Sequence, residues 1–162
     1  MQSQAQLMLQ SFTANQNDDV DKVKYYWAFF MPCALLLNGG THYWDSRIKD
    51  IFTKLYKDVL LNVRKSLAAG MYDIMKLVDM EQKQNQRFFV EALKQFIAAD
   101  IPEVKVKIAP HLCQIVNLYK DEMQTLLLNT FIKENLVSAS IKIVDRYNYR
   151  AQLINSKDVI IK

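Results

Sequence analysis

The sequence predicts an all-α protein in which antiparallel helix pairs stack side by side as an α-solenoid. The first observation is a valine followed by a basic residue, which recurs at Val23-Lys24, Val63-Arg64 and Val104-Lys105, at intervals of 40 and 41 residues. The second is that apolar residues between these points follow helical spacing. The third is the scarcity of turn formers, because the 162 residues include only three Gly and three Pro. A period of this length is typical of stacked helix pairs.

A common register supports the repeat. A shift of 41 residues places Phe52 on Leu93, Leu55 on Phe96, Val63 on Val104, Leu67 on Ile108 and Leu77 on Leu118. The match is imperfect at the turn, where Asp58 falls on Ala99 while Asp100 stands one place further on. We therefore expect residues 1–162 to form a single array of the HEAT or armadillo kind.

The first predicted unit covers about residues 3–37. Its first helix lies within 3–15, where Leu7, Leu9 and Phe12 stand among polar residues. The turn Asn17-Asp18-Asp19 follows, and its side chains can accept hydrogen bonds from the first amides of a helix. A second helix is therefore expected to begin close to residue 20.

This second helix, about 20–37, is apolar on all sides. Such a helix is buried by neighbours on both sides, so we expect no exposed face. Pro32 predicts a bend, and Asn38-Gly39-Gly40 predicts the end of the helix. Cys33, like Cys113 in the third unit, is expected to be a buried, reduced thiol, as in a cytosolic protein.

The second predicted unit covers about 44–78. A first helix begins at Trp44 and carries apolar residues at helical spacing as far as residue 57. Residues 58–62 form the turn within the pair, and a second helix runs to residue 78. The polar stretch 81–86 is expected to be a linker between units.

The third predicted unit, about 87–119, repeats this order. Pro102 suits the first turn of its second helix, and Pro110 predicts a bend within it. A divergent fourth unit is expected over 121–154, because apolar residues continue at helical spacing although the valine–basic pair is absent.

The recurrent residues have a structural interpretation. The valine packs between units, and the adjacent Arg or Lys reaches an aspartate in the turn of its own or a neighbouring unit. A partly buried pair of this kind fixes the stacking register, although an exposed one stabilises by only about 0–1 kcal/mol. The predicted ladder consists of Asp18, Lys24, Asp58, Val63, Arg64, Val104 and Lys105.

Composition argues against several classes of partner. The net charge of +4 is modest, and basic residues are interleaved with acidic ones, which is not the pattern of a nucleic-acid binder. No apolar run approaches the roughly 18 residues of a membrane span. We therefore expect no nucleic-acid or membrane partner and a cytoplasmic location.

The sequence also lacks a catalytic constellation. Its two histidines, His42 and His111, are far apart; we expect the first to be solvated in a turn and the second to pack or hydrogen-bond in a helix. Cys113 stands two residues from His111, so their side chains diverge on a helix. Gly39-Gly40 lacks the Lys-Ser/Thr of a phosphate-binding loop. We expect the protein to have no catalytic activity and to bind neither a metal nor a cofactor. A small helical enzyme is the least favoured alternative.

One region is more distinctive than the repeat itself. Residues 23–34 read Val-Lys-Tyr-Tyr-Trp-Ala-Phe-Phe-Met-Pro-Cys-Ala, and Trp44 and the Asp58…Val63-Arg64 pattern follow. Together they resemble the late HEAT region of the protein phosphatase 4 regulatory subunit 4 family, over about residues 23–119. The resemblance implies a non-catalytic scaffold that binds a type-2A-like serine/threonine phosphatase catalytic subunit.

A second hypothesis is a structural HEAT-repeat component of a large ciliary or cytoskeletal assembly without a phosphatase. Under either hypothesis, the turns 18–22, 58–62 and 99–103 lie on one edge of the array. Partners commonly bind at such edges. We therefore predict contacts at Lys57, Asn62 and Glu103, or on the concave face formed by the second helices.

Overall fold

The computed structural model describes residues 19–98, 101–127, 129 and 151. The predicted helix within 3–15, Asp18 and most of the fourth unit lie outside these residues. The described part is mostly helical and contains no strand, so the all-α prediction is confirmed there. Within it, no helix is both long and apolar enough to cross a membrane.

Helix α1, Asp19–Leu37, ends where the glycines predict. Gly39 has a φ of +91°, and the Gly40 amide donates to the Leu35 carbonyl at 2.9 Å. This is the six-to-one hydrogen bond of a Schellman motif. The helix continues through Pro32, whose ring packs beside Gly70; a Cβ at Gly70 would lie 3.4 Å from the proline Cγ.

The first helix of the second unit begins at Thr41, three residues before the predicted start. It comprises α2 (Thr41–Tyr43), a π-helical turn (Trp44–Ile48) and α3 (Lys49–Tyr56). Its buried side chains recur at helical spacing; the largest fully buried ones are Trp44, Ile48, Phe52 and Leu55. This segment therefore presents one continuous apolar face to the rest of the molecule.

Helices α4 (Leu61–Lys76) and α5 (Lys83–Ala98) follow. The expected linker 81–86 is wrong from Lys83 onward, because those residues belong to α5. The cause is hydrogen bonding: Asn85 is almost fully buried and donates to the Asp79 carbonyl at 3.1 Å. Asn85 is polar and so resembles a linker residue, but its hydrogen-bond partner is a main-chain carbonyl that the sequence does not reveal.

The last described segments are α6 (Pro102–Ile108), a 3₁₀ turn (Ala109–His111), α7 (Leu112–Val116) and α8 (Asp121–Leu127). Pro102 is the first residue of its helix, as predicted. Pro110 lies in the 3₁₀ turn, so the predicted interruption is also confirmed. A proline inside the helix would have lacked an amide donor and crowded the preceding turn.

The helices pack in a simple order. Helix α4 lies between α1 and α6, and it contacts both along much of its length. Helices α3 and α5 contact each other, and each also contacts α4. The core fills the space between these helices, so every described helix from α1 to α6 buries part of its surface against a neighbour.

An aromatic cluster joins the first helices of the second and third units. The Trp44 ring stacks on Phe89 with 4.9 Å between ring centroids, and it meets Phe52 and Phe88 edge-on. Such pairs stabilise by about 0.5–1.5 kcal/mol beyond the apolar area that they bury. The cluster is therefore the main attachment between the segment 41–56 and α5.

Candidate protein-docking surfaces

The turn before α4 is tied to α1 by an ion pair. The Lys24 ammonium lies 3.1 Å from Asp58 Oδ2, and Asp58 Oδ1 accepts a hydrogen bond from the Leu60 amide at 2.9 Å. The hydrogen bond with Asp58 raises the pKa of Lys24, and burial opposes this effect. The structure thus brings together two residues of the predicted ladder, which the sequence assigns to different predicted units.

The other ladder residues do not form a second ion pair in the described part of the chain. Val63 and Val104 are fully buried. Lys105 is also buried, with 4% of its surface exposed, and no described carboxylate lies within ion-pair distance. Arg64 has a buried Nε without a hydrogen-bond partner, and Asp18 lies outside the described residues.

An open cavity of about 520 Å³ lies beside this ion pair, between the beginnings of α1 and α4. Two aromatic, three aliphatic and three polar residues line it. The lining residues are Asp21, Lys22, Tyr25, Tyr26, Leu60, Leu61, Asn62 and Val63. A partner side chain entering there would meet a mostly apolar surface.

The three predicted contact residues occupy different surroundings. Lys57, Asn62 and Glu103 are all exposed. Asn62 lines the cavity, whereas the Lys57 ammonium lies over the Tyr56 ring, 5.3 Å from its centroid. Of the three predicted contact residues, Asn62 is therefore the one that lines the cavity.

The opposite edge is held by close backbone packing that the sequence interpretation missed. The Thr41 hydroxyl accepts a hydrogen bond from the Asp79 amide at 2.8 Å. A Cβ at Gly40 would lie 2.7 Å from the Leu77 carbonyl oxygen. Asp79 also accepts from the Glu81 amide at 2.9 Å, which orders the turn before α5. No signal in the sequence pointed to these contacts, because they involve main-chain groups of a distant turn.

The outer face of α1 is apolar and uncovered, contrary to prediction. Four aromatic residues there, Tyr25, Tyr26, Phe29 and Phe30, are 38–57% exposed, and Leu36 and Leu37 are 67% and 81% exposed. Cys33 belongs to this face and is exposed, so its predicted burial is wrong, whereas Cys113 is buried. Helical periodicity identifies apolar residues but does not say which of them another element covers.

The rings on this face contact one another. Tyr25 stacks on Phe29 and Tyr26 on Phe30, with 6.3 Å between centroids in each pair. Phe29 and Phe30 meet edge-on at 5.0 Å. Large exposed apolar patches on soluble proteins mark interaction sites. We name residues 25, 26, 29, 30, 33, 36 and 37 the outer face of α1.

The histidines occupy ordinary structural positions. His42 is exposed. His111 hydrogen-bonds Gln114 at 3.0 Å and stacks on Tyr72, as predicted for a histidine that packs or hydrogen-bonds. No group of three His, Cys, Asp or Glu side chains within the described ranges is arranged to hold a metal ion.

Comparison of the chain with models of protein families, with curated proteins and with solved structures gives no match.

Proposed function

We propose that this protein is a non-catalytic scaffold, built as an α-solenoid of helix pairs, that binds other proteins. The observation that carries the proposal is the packing order: α1, α4 and α6, the second helices of three successive units, lie side by side with α4 in the middle. In a solenoid each unit contacts mainly its neighbours, and the layer of second helices forms an extended binding surface.

Two further observations support the scaffold. Lys24 and Asp58, from successive units, form an ion pair at the turn edge, where a solenoid repeats equivalent positions. The aromatic cluster around Trp44 joins the corresponding first helices. Both contacts link one unit to the next, as expected of an array in which stability comes from neighbouring repeats.

The expected partner is a type-2A-like serine/threonine phosphatase catalytic subunit, on the basis of the resemblance of residues 23–119. We place its contact at the turn edge, where Lys57, Asn62 and Glu103 are exposed and the cavity opens. The cytoplasmic location, including the cytoskeleton or cilium, remains part of this proposal.

The test is affinity purification of the full chain from its own cells, followed by mass spectrometry and a direct binding measurement with the purified phosphatase subunit. Stoichiometric recovery and direct binding are expected. A chain carrying Lys57→Glu and Asn62→Lys should bind more weakly. The matched control is Lys83→Glu, an exposed lysine at the beginning of α5 on the opposite edge.

Recovery of a large structural assembly without a phosphatase would favour the second hypothesis, a structural component of that assembly. Unchanged direct binding by the Lys57→Glu, Asn62→Lys chain would overturn the placement at the turn edge. If Lys83→Glu weakens phosphatase binding as much as the Lys57→Glu, Asn62→Lys chain does, the loss reflects a general charge effect rather than a binding site.

A further inference from the structure

The outer face of α1 is large enough to support a stable contact between two copies of the chain. A side chain of this size presents roughly 150–250 Å² when fully exposed, so the six large residues expose roughly 650 Å² together. Complete burial of this area in two copies would amount to roughly 1,300 Å², which lies within the range of specific protein interfaces. Between residues 25 and 37 the sequence contains no charged residue that such burial would have to desolvate.

The two halves of this face differ in side-chain size. The N-terminal half carries four rings, Tyr25, Tyr26, Phe29 and Phe30, whereas the C-terminal half carries Cys33, Leu36 and Leu37. Two copies that meet antiparallel about a two-fold axis would place the rings of each over the smaller side chains of the other. Alternation of large and small residues across facing positions is what close packing requires.

We propose that the chain forms an antiparallel homodimer through the outer face of α1. A parallel arrangement would oppose ring to ring and leucine to leucine, which packs less evenly. The contact uses exposed side chains and leaves the buried residues of α1, such as Met31 and Leu35, in place, so each copy keeps the row of helices α1, α4 and α6 intact. This proposal does not depend on the identity of any other partner.

The first experiment is sedimentation equilibrium of the purified full chain in reducing buffer, over a concentration range up to about 100 µM, well above a micromolar Kd. A monomer–dimer equilibrium is expected. Phe29→Asp should raise the dimer Kd by about 1,000-fold, because a two-fold contact loses the residue twice and a central aromatic anchor contributes at least about 30-fold each time. Circular dichroism checks that the variant remains helical.

Leu37→Asp is a second disrupting variant on the other half of the face, where the side chain is 81% exposed and folding does not require it. Val59→Asp is the matched control, since Val59 is an exposed apolar residue in the turn before α4. Its dimer Kd should not change. A loss of dimer with all three variants would contradict the proposed interface.

Cys33 provides an independent probe, because it lies on the face while Cys113 is buried. Alkylation of Cys33 should slow as the protein concentration rises through the dimer Kd, and Phe29→Asp should restore fast alkylation. A monomer with a reactive Cys33 would overturn self-association. A monomer whose Cys33 is protected from alkylation would also overturn self-association and would mean that the chain covers its own outer face of α1. A dimer whose Kd is unchanged by Phe29→Asp would place the contact elsewhere.

Discussion

The two ends of α4 are attached to the rest of the molecule by different physical means. At the beginning of α4, Asp58 accepts a hydrogen bond from the Leu60 amide and forms an ion pair with Lys24 on α1. Beyond the end, the Leu77 carbonyl packs so closely on Gly40 that there is no space for a Cβ. The first end is held by charge and the second by backbone contact.

This difference predicts unequal tolerance to substitution. A partly exposed ion pair contributes little, because water and salt screen it. A close backbone approach depends on steric exclusion, which nothing screens, so a single added carbon displaces the chain. Substitutions at the glycine end should therefore destabilise the protein more than substitutions at the aspartate end, and the opposite result would contradict this explanation.

Gly40→Ala should have the largest effect, a loss of about 3 kcal/mol in the free energy of unfolding. The φ of +59° is strained for a residue with a Cβ, and the new carbon would lie 2.7 Å from the Leu77 oxygen. Urea denaturation measures the change. Gly39→Ala is the matched control: its φ is also positive, but its Cβ meets nothing within 4 Å, so about 1 kcal/mol is expected.

Asp58→Ala should follow, with a loss of about 1.5 kcal/mol. It removes both the hydrogen bond from the Leu60 amide and the ion pair with Lys24. Asp58→Asn keeps an oxygen that can accept from Leu60 and should lose only about 0.5 kcal/mol. Equal losses in the two variants would show that the charge, rather than the turn, accounts for the role of Asp58.

The sequence predicted the polar end of α4 better than the glycine end. Asp58 and the recurrent basic residues are visible as a pattern, and their pairing follows from complementary charge. Gly40 could be recognised only as a helix terminator, because its contact with the Leu77 carbonyl depends on how two distant turns meet. Thr41 gave no signal for the same reason: its partner, the Asp79 amide, is a main-chain group.

The outer face of α1 was beyond prediction for a different reason. The residues from Tyr25 to Leu37 are apolar on both the covered and the exposed side of α1. The sequence pattern alone therefore indicates burial on all sides. Met31 and Leu35 are buried against other helices, whereas Phe29 and Cys33 are not. Which face remains uncovered is decided by the arrangement of the other helices rather than by α1 itself.

Thr41→Val should destabilise the protein by about 1 kcal/mol at the glycine end. Valine has nearly the shape of threonine but offers no acceptor, so the part-buried Asp79 amide loses its partner. Thr41→Ser retains the hydroxyl and should recover most of the loss. Thermal unfolding of the three proteins tests this, and a serine variant as unstable as the valine variant would contradict the hydrogen-bond explanation.

The smallest predicted effect is the coupling between Lys24 and Asp58, about 0.5 kcal/mol in a double-mutant cycle of Lys24→Met and Asp58→Asn. Folding raises the pKa of Lys24 above its ordinary value of 10.5, chiefly through the hydrogen bond to Asp58. A raised pKa means that the folded state holds the proton more tightly than the unfolded chain. The stabilisation is therefore complete below pH 10.5 and is lost as the pH rises through the folded value.

Measuring the cycle at neutral pH and again above pH 10.5 isolates this contribution. Burial also raises the pKa of Tyr119, so every variant should lose stability at alkaline pH as the unfolded chain releases that proton first. Because Tyr119 is common to all four proteins, its effect cancels in the coupling free energy. Coupling that persists unchanged at alkaline pH and in high salt would mean that packing rather than charge holds this end of α4, and the contrast between its two ends would disappear.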